Sequence, residues 1–145
     1  MHKFICISGC TASGKSSFAI ELSDYFESPV IINADALQVY DCWKILTDRP
    51  TEKKTLHDLY GHVSYTVNYS VGDWIKDVKN IFDLYSKNSK TFIFVGGTGL
   101  YFNALLNGLS QIPQIPEEIR DFANSCDLSF FLSLIHISEP TRQSS

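Results

Sequence analysis

The sequence has no apolar stretch of membrane-spanning length, no paired Cys-x-x-Cys, no basic excess, no internal repeat and no low-complexity segment. Each absence removes a class of function. A transmembrane helix needs about 20 consecutive apolar residues. The N-terminal "MHKFICISG" runs from one lysine into only four, too few for the apolar region of a signal peptide. The expectation is a cytoplasmic protein with no membrane partner, read as a monomer. Cys6, Cys10, Cys42 and Cys126 have neither paired spacing nor a neighbouring histidine cluster, which argues against zinc and a disulfide framework and for reduced thiols. Twelve Lys and Arg against sixteen Asp and Glu give a net charge of −4, whereas a general nucleic-acid binder usually carries a basic surface. This charge does not exclude a nucleic acid held by a part of the protein outside these residues. His57 and His62 lack the partner spacing of metal ligands and read as structural or exposed; Trp43 and Trp74 read as core, with a stacking role left open for Trp43, which lies near Asp35 in sequence.

What is present is an ordinary globular composition, 44% apolar and 19% charged over 145 residues, enough for one domain with a core. Strand and helix patterns alternate. Phe4 to Ile7 is a short apolar run expected as a buried parallel strand. Phe18, Leu22, Tyr25 and Phe26 then define one helical face that should stop near Glu27 or Ser28, before Pro29. Val30-Ile31-Ile32 is the second strand. From Asp41 to Ser70 the pattern is irregular and predicts loops and short pieces. Ser70 and Asp73 form a capping-box signature for a helix carrying Trp74, Val78, Ile81 and Tyr85, to about Lys87. Thr91 to Val95 is the third strand, followed by a glycine-rich turn, a helix with Leu100, Tyr101, Ala104 and Leu105, and a stop at Gly108. This alternation predicts an α/β fold, a parallel sheet with flanking crossover helices.

The strongest local signal is "GCTASGKSS". Gly9, four residues, then Gly14-Lys15-Ser16 follow a strand and open a helix, the context a phosphate-binding loop requires. Backbone N–H groups of such a loop face phosphate oxygens, Lys15 neutralises their charge, and the Ser16 hydroxyl is the natural Mg2+ ligand. Asp35 follows the second strand, where a carboxylate points into the ligand crevice of such folds. It could accept a proton from a nucleophile or help hold magnesium, or it could be a turn residue. Thr98 offers a hydroxyl from the turn after the third strand, for the crevice or as a helix cap. Arg120, in "PEEIR", reads by itself as a solvated helix residue.

Taken together and in order, "GCTASGKSS", "NADALQVY" and "GGTGLYFNALLNGLS" closely resemble the tRNA dimethylallyltransferases, over residues 4 to 124. The resemblance implies a P-loop NTPase-like fold and transfer of a dimethylallyl group from its diphosphate to N6 of the adenosine adjacent to the anticodon. It implies that Gly9, Thr11, Ala12, Ser13, Gly14, Lys15 and Ser16 bind the donor diphosphate with Mg2+. Asp35 would be the catalytic base, with Thr98 near the transferred group. Asp35, Ala36, Leu37, Gln38, Thr98 and Arg120 would contact tRNA. Cys10, Ala36 and "TDRP" (Thr47 to Pro50) depart from the family pattern, and Ala36 lacks a hydroxyl common there.

The competing expectation is a small-molecule kinase resembling shikimate kinase, with ATP on the loop and Asp35 on a hydroxyl acceptor. "DALQVY" with "GGTGLY" distinguishes the two, since a kinase does not require them. "LSLIHISEPTR", Leu132 to Arg142, resembles the translation of a sequencing-library adapter. The expected organisation is a partial prenyltransferase core over residues 1–131, incomplete at its C-terminus, followed by a non-native tail over 132–145. Such a chain is expected to be inactive on tRNA, with a sheet edge left uncovered.

Overall fold

Four segments become strands: β1 (Lys3–Ser8), β2 (Pro29–Asn33), β3 (Leu56–Asp58) and β4 (Thr91–Gly96). All pairings are parallel, in the order β1-β4-β2-β3, with Ile5 opposite Ile93, Ile31 opposite Ile93, and Val30 opposite Leu56. The computed structural model describes residues 2–50, 55–85, 89–110, 113 and 115–138. It divides into two units, Met1–Leu109 and Ser110–Ser145. The first holds the sheet with helices α1 (Lys15–Ser23), α2 (Val71–Leu84) and α3 (Gly99–Asn107); the second holds α4 (Glu117–Ser125) and α5 (Leu128–Ser138). Among the described residues no helix is long and apolar enough to cross a membrane.

Because strand side chains alternate between faces, the two central strands feed two cores. Val30, Ile32, Phe92 and Phe94 meet Trp74, Val78, Ile81, Tyr101 and Phe102 from α2 and α3. Ile31, Ile93 and Val95 meet Ala19 of α1 on the other face. Burying each large side chain of this set contributes roughly 1.5–3 kcal/mol. β4 is buried along its whole length because it lies between two strands and under helices on both faces.

Several expectations need correction. β1 forms but is not buried: Phe4 is 56% exposed and Cys6 is exposed. It pairs with β4 alone, and no strand lies on its other side among the described residues. α1 ends at Ser23, short of Glu27, because the chain tightens there into i→i−3 bonds from Asp24 N–H, Tyr25 N–H and Phe26 N–H, leaving Tyr25 84% exposed. The helix buries Ala19 and Ser23, while Phe18 faces solvent. Trp43 is exposed, since it sits in a one-turn 3-10 helix (Asp41–Trp43) within a run of exposed turns. β3 is a strand within the stretch read only as loops and short pieces. α2 keeps its expected start and its buried stripe but ends at Leu84; Lys87 lies outside the described residues. Residues 139–145 also lie outside them, and α5 spans the expected boundary at residue 131.

Candidate functional site

The phosphate-type loop begins where β1 ends. Ala12 (φ 60°) and Gly14 (φ 79°) both take left-handed backbone conformations, which fold the loop back over the start of α1. At Gly14 that conformation costs little because there is no Cβ. Gly14 is the N-cap of α1 and supplies no side-chain cap, and the first turn carries no acidic residue. The first-turn N–H groups and the helix dipole therefore suit an anion. Lys15 Nζ donates to the Cys10 carbonyl oxygen across the loop, so its charge is held over the same hollow.

The hollow is a cavity of about 210 Å³ lined by Thr11 to Ser17, Asp35, Gln38, Leu46, Thr47, Asp48, Val95 and Gly96. Asp35 reaches it from the turn after β2. Its N–H donates to Asn33 Oδ1 (3.0 Å) and its Oδ1 accepts from Leu37 N–H (2.9 Å). The β4 turn lies against both. A Cβ on Gly96 would fall 2.1 Å from the Ala34 carbonyl oxygen, and one on Gly97 would lie 3.4 Å from Gly9 O and 3.8 Å from Asp35 Oδ2. The ends of β1, β2 and β4 thus meet within a few ångströms, as the carboxyl edge of a parallel α/β sheet requires.

Thr98 Oγ1 accepts from Ala36 N–H (2.9 Å), and Thr98 N–H donates to Ala34 O (3.3 Å). The hydroxyl makes no cap bond to α3; it ties the β4 turn to the β2 turn. Two phenols feel the Asp35 charge. Tyr60 is raised above the ordinary tyrosine range, first by burial and then by Asp35. Tyr101 is pushed up to about 12, first by burial, with Tyr40 and Asp35 adding to it.

The structure brings Thr11, Ala12, Ser13, Gly14, Lys15, Ser16, Asp35 and Gln38 to one cavity. Gly9 adjoins it through Ser13 and Lys15. Ala36, Leu37 and Thr98 stand beside Asp35 without lining it. Arg120 is exposed on α4 in the second unit. Reasoning from sequence missed the opposite wall, Leu46 to Asp48, although "TDRP" marks it. Gln38 Nε2 donates to Thr47 O (2.9 Å) and Arg49 Nη1 donates to Tyr40 O (3.3 Å), which fold this segment onto the turns of "NADALQVY" after β2. It also missed the segment around Gly61, whose N–H donates to Gln38 O (2.8 Å).

Ser16, Asp35 and Asp48 present hard oxygen donors to the cavity. That set fits Mg2+, which takes one or two carboxylates alongside substrate phosphates. Among the described residues no group of three or more His, Cys, Asp or Glu is poised as a metal site.

The family model for IPP transferase matches residues 38–132. A tRNA dimethylallyltransferase of Bartonella tribocorum is 53% identical over 117 residues, covering 79% of this chain and 39% of that protein. One from a Jannaschia species is 44% identical over 142 residues, covering 96% and 47%. The structure of tRNA delta(2)-isopentenylpyrophosphate transferase from Staphylococcus epidermidis superposes with TM-score 0.66 and 25% identity, covering 97% of this chain and 43% of the other. A eukaryotic dimethylallyltransferase acting on tRNA superposes with TM-score 0.74 and 26% identity, covering 97% and 36%. The chain spans less than half the length of the curated relatives it matches.

Proposed function

Since the chain belongs to the IPP transferase family, we propose that it is the N-terminal part of a tRNA dimethylallyltransferase working as a cytoplasmic monomer. Its donor is dimethylallyl diphosphate and its acceptor is the N6 amine of the adenosine adjacent to the anticodon. The observation that supports this best is that the Asp35 carboxylate and the phosphate-type loop line one cavity. An anionic leaving group and a proton acceptor then face the same reacting atoms.

The loop N–H groups and Lys15 bind the diphosphate, and α1 presents the favourable end of its dipole to it. Ser16, with an aspartate of the cavity, would hold Mg2+, which supplies neutralisation of the charge gathering on the leaving diphosphate. N6 attacks the allylic carbon, a C–N bond forms, the C–O bond to diphosphate breaks, and the electron pair leaves with diphosphate. The N6 proton passes to Asp35, because the amine is a poor nucleophile until a positioned base accepts that proton. Ala36, Leu37, Gln38, Thr98 and Arg120 would contact the tRNA, and Thr98 also holds Ala36 in place. Residues 132–145 receive no role, on the reading that they are of adapter origin. Family membership disfavours the kinase reading.

Asp35→Asn in the full-length enzyme tests the assignment. Transfer should fall by about 10²-fold or more, the usual size of a general-base contribution, with dimethylallyl diphosphate still bound. Unchanged turnover would remove Asp35 as the base.

A further inference from the structure

Asn33, the last residue of β2, is fully buried and does not line the cavity. Its side chain nevertheless holds the turn that carries Asp35. Nδ2 donates to Asp35 O (2.9 Å) and to Leu59 O (3.0 Å), while Oδ1 accepts from Asp35 N–H (3.0 Å). Its own carbonyl oxygen accepts from the Trp74 indole N–H (2.9 Å), which anchors the residue to α2. One amide therefore grips Asp35 at both its N–H and its C=O.

We infer that Asn33 is the positioning residue of the reaction: its amide fixes the Asp35 backbone and so aims that carboxylate at the phosphate-type loop. This rests on Asp35 being the base. Only a side-chain amide meets the demand here. A carboxylate could accept from Asp35 N–H but would face two carbonyl oxygens with nothing to donate, and alanine would leave all three groups unpaired. Glutamine adds a methylene where the site is closed to solvent. Leu59, the other partner, has a left-handed backbone (φ 61°) and precedes Tyr60, so the same amide also sets the segment that borders Asp35.

The experiment is single-turnover transfer in the full-length enzyme with dimethylallyl diphosphate bound beforehand, comparing wild type with Asn33→Ala, Asn33→Asp and Asp35→Asn. Misaiming a reacting group by about 1 Å costs on the order of 10²-fold, so the Asn33 variants should lose about 10- to 100-fold in rate constant. Their reaction amplitude, which counts folded sites, should stay near that of wild type, and KM for the donor should move by less than about twofold. Asn33→Asp preserves volume and one acceptor, and it keeps the test open should Asn33→Ala fail to fold. A wild-type rate constant in a folded Asn33 variant, or a loss confined to amplitude, would overturn the inference while Asp35→Asn remains inactive. Normal turnover by Asp35→Asn would overturn the base assignment itself, and this inference with it.

Discussion

A methyl group on Gly96 would meet the Ala34 backbone, with oxygen and carbon at 2.1 and 2.2 Å. Neither atom belongs to a flexible side chain that could swing away. Gly96→Ala should therefore force β4 from β2 and destabilise the fold by about 3 kcal/mol, the upper range for overpacking a core. Urea titration checks this; a shift of a few tenths would mean that the turn yields freely. Trp74→Phe removes the donor to the Asn33 carbonyl and leaves a small void, which together should cost about 2–3 kcal/mol in the same assay. At this scale the meeting of Lys15 and Asp35 at one cavity was legible because their signals are local: a loop spacing, and a carboxylate just past a strand. The places of Asn33 and Leu46 were not, since they are set by partners such as Leu59 and the phosphate-type loop, which lie far away in sequence.

The start of α2 shows what an element carries within itself. Ser70 Oγ accepts from Asp73 N–H (3.2 Å) and donates to Asp73 Oδ2 (2.6 Å), and Ser70 N–H donates to the same carboxylate (3.1 Å). The Ser70 hydroxyl, then the Ser70 N–H and Lys76, hold the Asp73 carboxyl below the usual range. A lowered folded pKa stabilises the fold above the unfolded value of 3.8 and loses that effect as pH falls below it. Ser70→Ala should cost about 1 kcal/mol near neutral pH, and the gap from wild type should narrow in melts at acid pH. An undiminished gap there would take Asp73 out of the cap. Sequence announced this helix because cap and period are both contained in it. The end of α1, the exposure of β1 and the short β3 depend on neighbours: on the turn bonds after Ser23, on an edge with one partner, and on β2 beside Leu56.

Over the first unit, three tyrosines join different elements, and all are held neutral above their ordinary range. Burial leads in Tyr60, Tyr69 and Tyr101; Asp77 adds to it for Tyr69, whose hydroxyl donates to Asp77 Oδ2 at 2.6 Å. A raised folded pKa contributes stability that is complete below the unfolded phenol value of about 10 and is lost as pH climbs through the folded one. Thermal melts should therefore drop between about pH 10 and about pH 12, from the unfolded phenol value to the raised one of Tyr101, and Tyr60→Phe should flatten that slope. A melting temperature constant over this range would contradict it. The parallel sheet itself was readable from alternating strand and helix patterns, and the strand order β1-β4-β2-β3 emerges only from the pairings. The measurement that bears most directly on function is incubation of the full-length enzyme with unmodified tRNA, Mg2+ and labelled dimethylallyl diphosphate. If the loop holds a prenyl diphosphate facing Asp35, label appears on N6 of the adenosine beside the anticodon and diphosphate is released in equal amount. No label on tRNA, with ATP instead phosphorylating a small hydroxyl acceptor, would contradict that reading.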